Sequence, residues 1–139
     1  MSNIFENKLV AVLNKNIETG KLMNALAHMC IGLGALITKE ALRLSTYQDA
    51  DGGVHPCISE IPFIILTESS NKIRKLREQA ISNHILFNDF TDTMTQGTYQ
   101  EQIQRTLITK EMDLNYYGIV LFGDWDTLTQ LTRKFSLFC

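Results

Sequence analysis

The chain has 139 residues, of which 45% are hydrophobic and 20% are charged. These proportions are typical of a soluble packed core, and a chain of this length usually forms one domain. Its two prolines and eight glycines leave no room for a linker or a low-complexity tail. The composition therefore excludes disorder, collagen-like repeats and a multidomain assembly, and we expect a single α/β domain over residues 1–139.

The formal net charge of −2 argues against nucleic acid as a partner. Proteins that bind nucleic acids usually carry a basic excess, because the release of phosphate counterions drives much of their affinity. One local basic cluster lies on a predicted helix and is typical of a solvated helix face. Its members are Lys72, Arg74, Lys75 and Arg77.

The three cysteines and the absence of long apolar segments indicate a cytoplasmic protein that does not enter a membrane. An odd number of cysteines without C-x-x-C spacing is unlike the even disulfide set of a small secreted chain. The first residues lack a basic region followed by an apolar run. The most apolar stretch, residues 25–37, is shorter than the roughly 20 residues that a membrane span needs.

The first half of the chain predicts a strand, a helix and a second strand. Residues 9–13 form a continuous apolar run, typical of a strand buried on both faces. In the following helix, apolar residues recur every three or four positions, and Thr19 is the expected N-cap. Residues 42–46 predict a short edge strand and residues 49–56 a loop, before an apolar strand over residues 62–67.

The second half continues the alternation of helix and strand. Ser69 or Ser70 is expected to cap the helix that carries the basic cluster. A later helical stretch is expected to face inward with Ile103 and Leu107, and Asp124 is expected to cap the last helix. The predicted strands of this half are residues 85–87, 117–122 and 135–138.

This alternation predicts a three-layer α/β/α sandwich, because wholly apolar strands need cover on both faces. Ligands of such sheets usually bind beyond the carboxyl ends of the strands. That rule places a candidate site at residues 14–21, 67–70, 88–97 and 123–124.

Two residues of the first helix are candidates for binding or catalysis. Lys21 follows Gly20 at the helix start, where free N–H groups suit an anion, although an ordinary exposed lysine also fits. His28 is expected to be buried between small neighbours, either as a core histidine or as a site histidine aimed at the strand ends. No Walker-type glycine spacing is present, which argues against nucleotide hydrolysis.

Carboxylates and hydroxyls are also concentrated in two later segments. Residues 49–60 match a calcium loop only in part, because Val54 stands where that loop needs glycine. The sequence as a whole predicts no metal and no cofactor. His55 and Cys57 could pair as base and nucleophile, although side chains two residues apart in a loop can point apart. Residues 88–93 follow a buried strand, and their polar groups could hold a substrate or satisfy the turn itself.

With these segments in place, the chain resembles the uncharacterised family known as domain of unknown function 2000, or DUF2000. The resemblance covers nearly the whole chain and lies in residues 19–21, 24–28, 49–52, 55–56, 58–62, 90–94, 116–118 and 134–137. That family is in turn similar to the type II peptidyl-tRNA hydrolases, which cleave the ester between a peptide and tRNA without a metal. The resemblance implies a mixed sheet of about four strands with helices on both sides.

The resemblance to the hydrolases also implies a partial site. Gly20, Lys21 and His28 match their helix motif, and Asp89 and Thr93 match the spacing of their later pair. Other positions depart from the motif. Thr19 stands in place of a lysine, Ala25 in place of a glutamine and Gly118 in place of a second threonine.

These departures leave three hypotheses: a non-catalytic small-ligand-binding protein on this scaffold, a metal-independent hydrolase of an ester or amide, and a homodimeric interaction domain. The expected partner is a small or peptide-like molecule, and tRNA is disfavoured by the net negative charge. The predicted catalytic residues are Lys21, His28, His55, Asp89 and Thr93. The predicted ligand-binding residues are Thr19, Gly20, Asn24, Asp51 and Asp92.

Overall fold

The computed structural model describes residues 5–139, and this part of the chain forms seven strands and five α-helices. The strands are β1 (Asn7–Asn14), β2 (Leu44–Gln48), β3 (Val54–Ser59), β4 (Phe63–Glu68), β5 (Leu86–Thr91), β6 (Tyr116–Asp124) and β7 (Ser136–Leu137). The helices are α1 (Thr19–Leu36), α2 (Lys39–Leu42), α3 (Ser70–Ser82), α4 (Tyr99–Leu107) and α5 (Trp125–Thr132). Short 3₁₀ turns lie at Asp92–Met94 and Glu111–Asp113.

Five of the strands form one mixed sheet in the order β5-β6-β1-β4-β7. β1 is parallel to β4, and every other neighbouring pair in this sheet is antiparallel. The sheet therefore has five strands instead of the expected four or so. The additional strand, β7, is two residues long and pairs with β4 at the edge.

β1 alternates its side chains between two hydrophobic cores. Leu9, Ala11 and Leu13 belong to the core beneath α1, whereas Val10 and Val12 belong to the core beneath α3 and α5. Helices therefore cover both faces of the sheet. The prediction of a first strand buried on both faces is confirmed.

The start of α1 differs from the expectation. The N-cap is Glu18, which makes no side-chain capping hydrogen bond, and Thr19 is already the first helical residue. The other two caps follow the sequence pattern, because Ser69 accepts from the Lys72 N–H of α3 and Asp124 accepts from the Thr127 N–H of α5.

The segment between α2 and β4 is a hairpin of its own. β2 and β3 form a separate two-stranded antiparallel sheet, so the expectation of one edge strand followed by a loop is wrong. A bulge interrupts the pairing, and Cys57 takes a left-handed φ of 58° there. The base of the hairpin is closed by an ion pair of 2.9 Å between Arg43 and Glu60.

Strand direction determines which loops share an edge of the sheet. β1, β4 and β5 run the same way, so their carboxyl ends meet at one edge, whereas β6 runs opposite. The buried Asn14 holds this edge together, because its amide donates to Tyr116 O at 2.8 Å and its oxygen accepts from Asn16 N–H at 2.8 Å. Residues 123–124 therefore lie at the other edge and do not belong to the predicted site.

Candidate functional site

A groove of about 680 Å³ lies between α1 and α4, beside the carboxyl end of β5. Its volume falls within the roughly 300–1,000 Å³ that small-molecule sites occupy. The apolar lining residues are Phe90, Met94, Tyr99, Ile103 and Leu107. The polar lining residues are Asn24, His28, Thr95, Gln102 and Thr106.

α4 supplies the open apolar wall of this groove. Tyr99, Ile103 and Leu107 follow one another at spacings of four residues and so share one face of the helix. They remain 73%, 42% and 76% exposed, so the expectation that Ile103 and Leu107 face inward is wrong. The reason is that α4 packs mainly on the 3₁₀ turn at Asp92–Met94 and not on the sheet.

Aromatic rings form the floor of the groove. Phe90 is 9% exposed, and its ring centroid lies 6.1 Å from that of His28 and 6.0 Å from that of Tyr117. The His28 and Phe90 rings are inclined by 26°, within the range of favourable aromatic pairs. His28 itself is exposed on the groove wall, which corrects the expectation of a buried histidine.

A second hollow of about 290 Å³ adjoins the groove. The two share Asn24, Phe90 and Thr95, and the second hollow adds Gly20 and Lys21 from the start of α1. Four of the predicted site residues therefore line one continuous surface, namely Gly20, Lys21, Asn24 and His28. Lys21 is the only cation among the residues that line the two hollows, and none of these lining residues is a carboxylate.

Thr93 supports the groove from behind. It is 4% exposed, and its hydroxyl lies 2.7 Å from that of Thr91 and 2.8 Å from that of Thr106. Its carbonyl accepts from Arg105 of α4 at 3.0 Å. Thr93 therefore holds α4 against the end of β5, and the lining residue Thr106 separates it from the groove.

Asp92 braces the same turn. Its backbone N–H donates to Asn115 O at 2.9 Å, and its carboxylate accepts from the Asn115 N–H at 3.1 Å. These two bonds join the end of β5 to the start of β6. Asp92 is not among the residues that line either hollow.

Asp89 lies on the opposite face of the sheet from Lys21 and His28. Asn88 points toward α1, where its amide donates to Met29 O at 3.1 Å, and the next residue along the strand must point the other way. Asp89 accordingly accepts from Arg77 of α3 at 3.0 Å. Burial raises the pKa of this carboxyl, and the Arg77 charge opposes that rise. The expected meeting of Asp89 with Lys21 in one hollow therefore does not occur.

The replacement Asp89→Asn is expected to gain stability relative to the wild type as pH rises. Because burial raises the Asp89 pKa above its ordinary value of 3.8, the folded protein holds this proton more tightly than the unfolded chain. The Asp89 carboxyl therefore contributes its full stabilisation at a pH below the unfolded-state pKa of 3.8. This contribution is lost as the pH rises through the higher pKa of the folded state. Urea unfolding of both proteins at about pH 4 and about pH 7 measures the difference. A relative stability of the variant that falls with rising pH would mean that the Arg77 charge outweighs burial.

The remaining predicted residues lie elsewhere. His55 and Asp51 are exposed in the β2–β3 hairpin, where the His55 ring pairs with Asp49 at 2.9 Å. That hydrogen bond holds the pKa of Asp49 below its ordinary value. Thr19 is exposed at the start of α1 and lines neither hollow. Across residues 5–139, no cluster of three histidine, cysteine, aspartate or glutamate side chains could hold a metal ion.

Sequence reasoning missed most of the apolar half of the groove. Phe90 lay within the polar segment over residues 88–93 and was overlooked beside its carboxylates. In α4 the sequence predicts an inward direction for Ile103 and Leu107, and Tyr99 is not among the predicted residues. The available signal is the four-residue spacing that joins Tyr99 to these two residues within an otherwise polar helix.

The fold and the site together define a class of protein. It is an α/β protein with a mixed five-stranded sheet and an open apolar groove beside the carboxyl ends of its strands. The sequence profile of the family described as "Protein of unknown function (DUF2000)" matches residues 7–138, and the chain belongs to this family. A solved structure of Atu0240 from Agrobacterium tumefaciens strain C58, also a protein of unknown function, has the same fold, with a TM-score of 0.85 and 19% identity. The match covers 98% of this chain and 100% of that one.

One further comparison and one property of the helices complete these findings. A search of curated proteins finds no significant match. Within residues 5–139, no helix has both the length and the apolar character that a membrane crossing requires.

Proposed function

We propose that this protein binds a small organic ligand in the groove between α1 and α4. The observation that carries the proposal is the exposed apolar face of α4. Tyr99 and Leu107 are 73% and 76% exposed, yet both line a concave surface whose floor is the Phe90 ring. Concave apolar surfaces with a few convergent polar groups are the usual form of a ligand site.

The charges along this surface define the ligand further. Its lining residues include the cation Lys21 and no carboxylate, so a neutral or anionic ligand meets no repulsion. An apolar or aromatic body would contact α4 and Phe90, and a polar or anionic end would extend past Asn24 toward Lys21. A small organic acid and a peptide-like molecule with a free carboxylate both have this form.

Binding without catalysis is favoured over the hydrolase alternative. A general base must lie within hydrogen-bond reach of the group it activates. The predicted base, Asp89, contacts Arg77 on the other face of the sheet, and Thr93 bonds to Thr91 and Thr106 behind the groove. The resemblance of the sequence to type II peptidyl-tRNA hydrolases stays a prediction about the scaffold, and this proposal does not extend it to their reaction.

The proposal places the protein in the cytoplasm, in keeping with its free thiols at Cys30, Cys57 and Cys139. It needs no second copy of the chain, because α1, β5, α4 and the segment between β5 and α4 supply all the residues that line the groove. A homodimer stays a separate prediction.

A fluorescent aromatic sulfonate, 1-anilinonaphthalene-8-sulfonate, tests the proposal because it combines an apolar ring system with one negative charge. We expect saturable binding to the wild type and at least about tenfold weaker binding to Leu107→Glu. In the complex the new carboxylate would either be buried against the apolar rings of the probe or repel its sulfonate. Ile108→Glu is the matched control, because Ile108 is 83% exposed and lies outside the groove lining. If both variants bound the probe equally weakly, or if both bound it as tightly as the wild type, the assignment of the groove would be contradicted.

A further inference from the structure

A third hollow, lined largely by cations, lies on the opposite face of the sheet from the groove. It has a volume of about 440 Å³ and lies between α3 and the end of α5. Four cationic side chains line it, and no carboxylate does. They are Lys72 and Lys75 of α3 and Arg133 and Lys134, which follow α5.

The basic cluster of α3 is divided between two sides of the helix. Arg74 and Arg77 are half-buried and pair with Glu111 at 3.1 Å and Asp89 at 3.0 Å. Lys72 and Lys75 are exposed and line the hollow. The interpretation of this cluster as one solvated face therefore applies to half of it.

Most cations of the hollow have no anionic partner within the part of the chain that the structure describes. Among residues 5–139, Lys75, Arg133 and Lys134 form no ion pair, and Lys72 approaches Glu68 only at 3.8 Å. Like charges that line one concavity repel one another and raise the local concentration of anions. A chain with a net charge of −2 thus concentrates positive charge at one hollow.

The hollow also offers contacts for an uncharged part of a ligand. Leu131 and Phe135 are half-buried in its wall, and the amides of Gln79 and Gln130 can donate and accept hydrogen bonds. A phosphate-rich ligand with a ring-containing body would use both features, since lysine and arginine side chains bind phosphate oxygens well. A single inorganic anion would leave the apolar wall and the two amides unused.

We propose that the α3–α5 hollow binds a small molecule that carries several phosphate groups on a ring-containing body, such as a nucleoside triphosphate. The volume of about 440 Å³ suits a ligand of this size. The site is independent of the α1–α4 groove, because the sheet separates the helices that form the two.

Isothermal titration of the full chain with ATP and with inorganic tripolyphosphate tests this site. ATP is expected to bind more tightly than tripolyphosphate, and both affinities are expected to fall as salt rises. The double variant Lys75→Glu/Arg133→Glu is expected to weaken ATP binding by at least about tenfold. Lys39→Glu/Lys110→Glu is the matched control, because it changes the net charge equally at two exposed lysines outside the hollow. Circular dichroism checks that both double variants are folded.

Four results would overturn the proposal. Equal affinity of the wild type and Lys75→Glu/Arg133→Glu would exclude the hollow, and an equal loss in the control would indicate a general effect of charge. If tripolyphosphate bound as tightly as ATP, the ring-containing body would contribute nothing to the affinity, and that part of the proposal would be wrong. Single-stranded RNA that binds at least about a hundredfold tighter than ATP, through the same two residues, would replace the small ligand with a nucleic acid.

Discussion

Phe90→Ala is expected to lower the free energy of unfolding by about 3–5 kcal/mol, the usual range for removing a buried phenylalanine ring. Phe90 is 9% exposed and belongs to the core beneath α1. Its loss also removes the ring that contacts His28 and Tyr117 and forms the groove floor. Urea unfolding measures the loss of stability, and titration with the aromatic sulfonate measures the loss of binding.

Phe90→Leu separates these two effects. Leucine keeps most of the apolar volume, so we expect a loss of no more than about 1.5 kcal/mol and a folded protein. The aromatic contacts with His28 and Tyr117 disappear nonetheless. We expect weaker binding of the aromatic probe to this folded variant, and unchanged affinity would show that the Phe90 ring does not contact the ligand.

Gly118→Ala is expected to destabilise the protein by about 1–3 kcal/mol, because the position has no room for a methyl group. A Cβ atom there would lie 2.8 Å from Leu13 Cδ2, 2.9 Å from Met29 Cε and 3.2 Å from Val12 O. The ends of the Leu13 and Met29 side chains would have to move, and both side chains are buried in the core beneath α1, where there is little room for them to repack. Thermal or urea unfolding measures the effect.

Gly123→Ala is the matched control on the same strand. A Cβ atom at Gly123 would meet Ile85 Cγ2 at 3.5 Å and Leu128 at 4.0 Å, both ordinary contacts. We expect this variant to be as stable as the wild type or more stable by up to about 1 kcal/mol. Equal destabilisation by the two replacements would show that strand β6, and not the approach of α1, requires glycine.

The tightness at Gly118 also bears on the hydrolase resemblance. The type II peptidyl-tRNA hydrolases, as implied by that resemblance, have a threonine where this chain has Gly118. A threonine side chain is larger than the methyl group that already meets Leu13 and Met29. The threonine that the resemblance implies would therefore have to displace these two side chains at this position.

The central strands could be predicted from the sequence because burial on both faces makes them continuously apolar. β1 has seven buried residues in a row, and the predicted run over residues 9–13 lies within it. Caps at Ser69 and Asp124 could also be predicted, because serine and aspartate are preferred N-caps, although the same preference misplaced the cap of α1 at Thr19. The β2–β3 hairpin could not, since its strands are largely exposed and lack the alternation that marks a half-buried strand.

Only part of the site could be predicted, because the order of the elements indicates which loops share an edge of the sheet but not which way each side chain points. That Lys21 and the end of β5 lie at the same edge of the sheet could be expected from the alternating order of helices and strands. The direction of Asp89 depends on the parity of its position along β5, and a shift by one residue would reverse it. The inward direction expected for Leu107 failed for a related reason, because periodicity defines an apolar face but not what that face packs against.

The most direct test of the proposed binding function is a titration of the ¹⁵N-labelled protein with the aromatic sulfonate, followed by amide chemical shifts. We predict that the largest shifts fall on the residues of α1, α4 and the end of β5 that line the groove, with Asn24, His28, Phe90, Ile103 and Leu107 among them. Shifts confined to the α3–α5 face, or spread evenly over the chain, would contradict the assignment of the groove between α1 and α4 as the binding site.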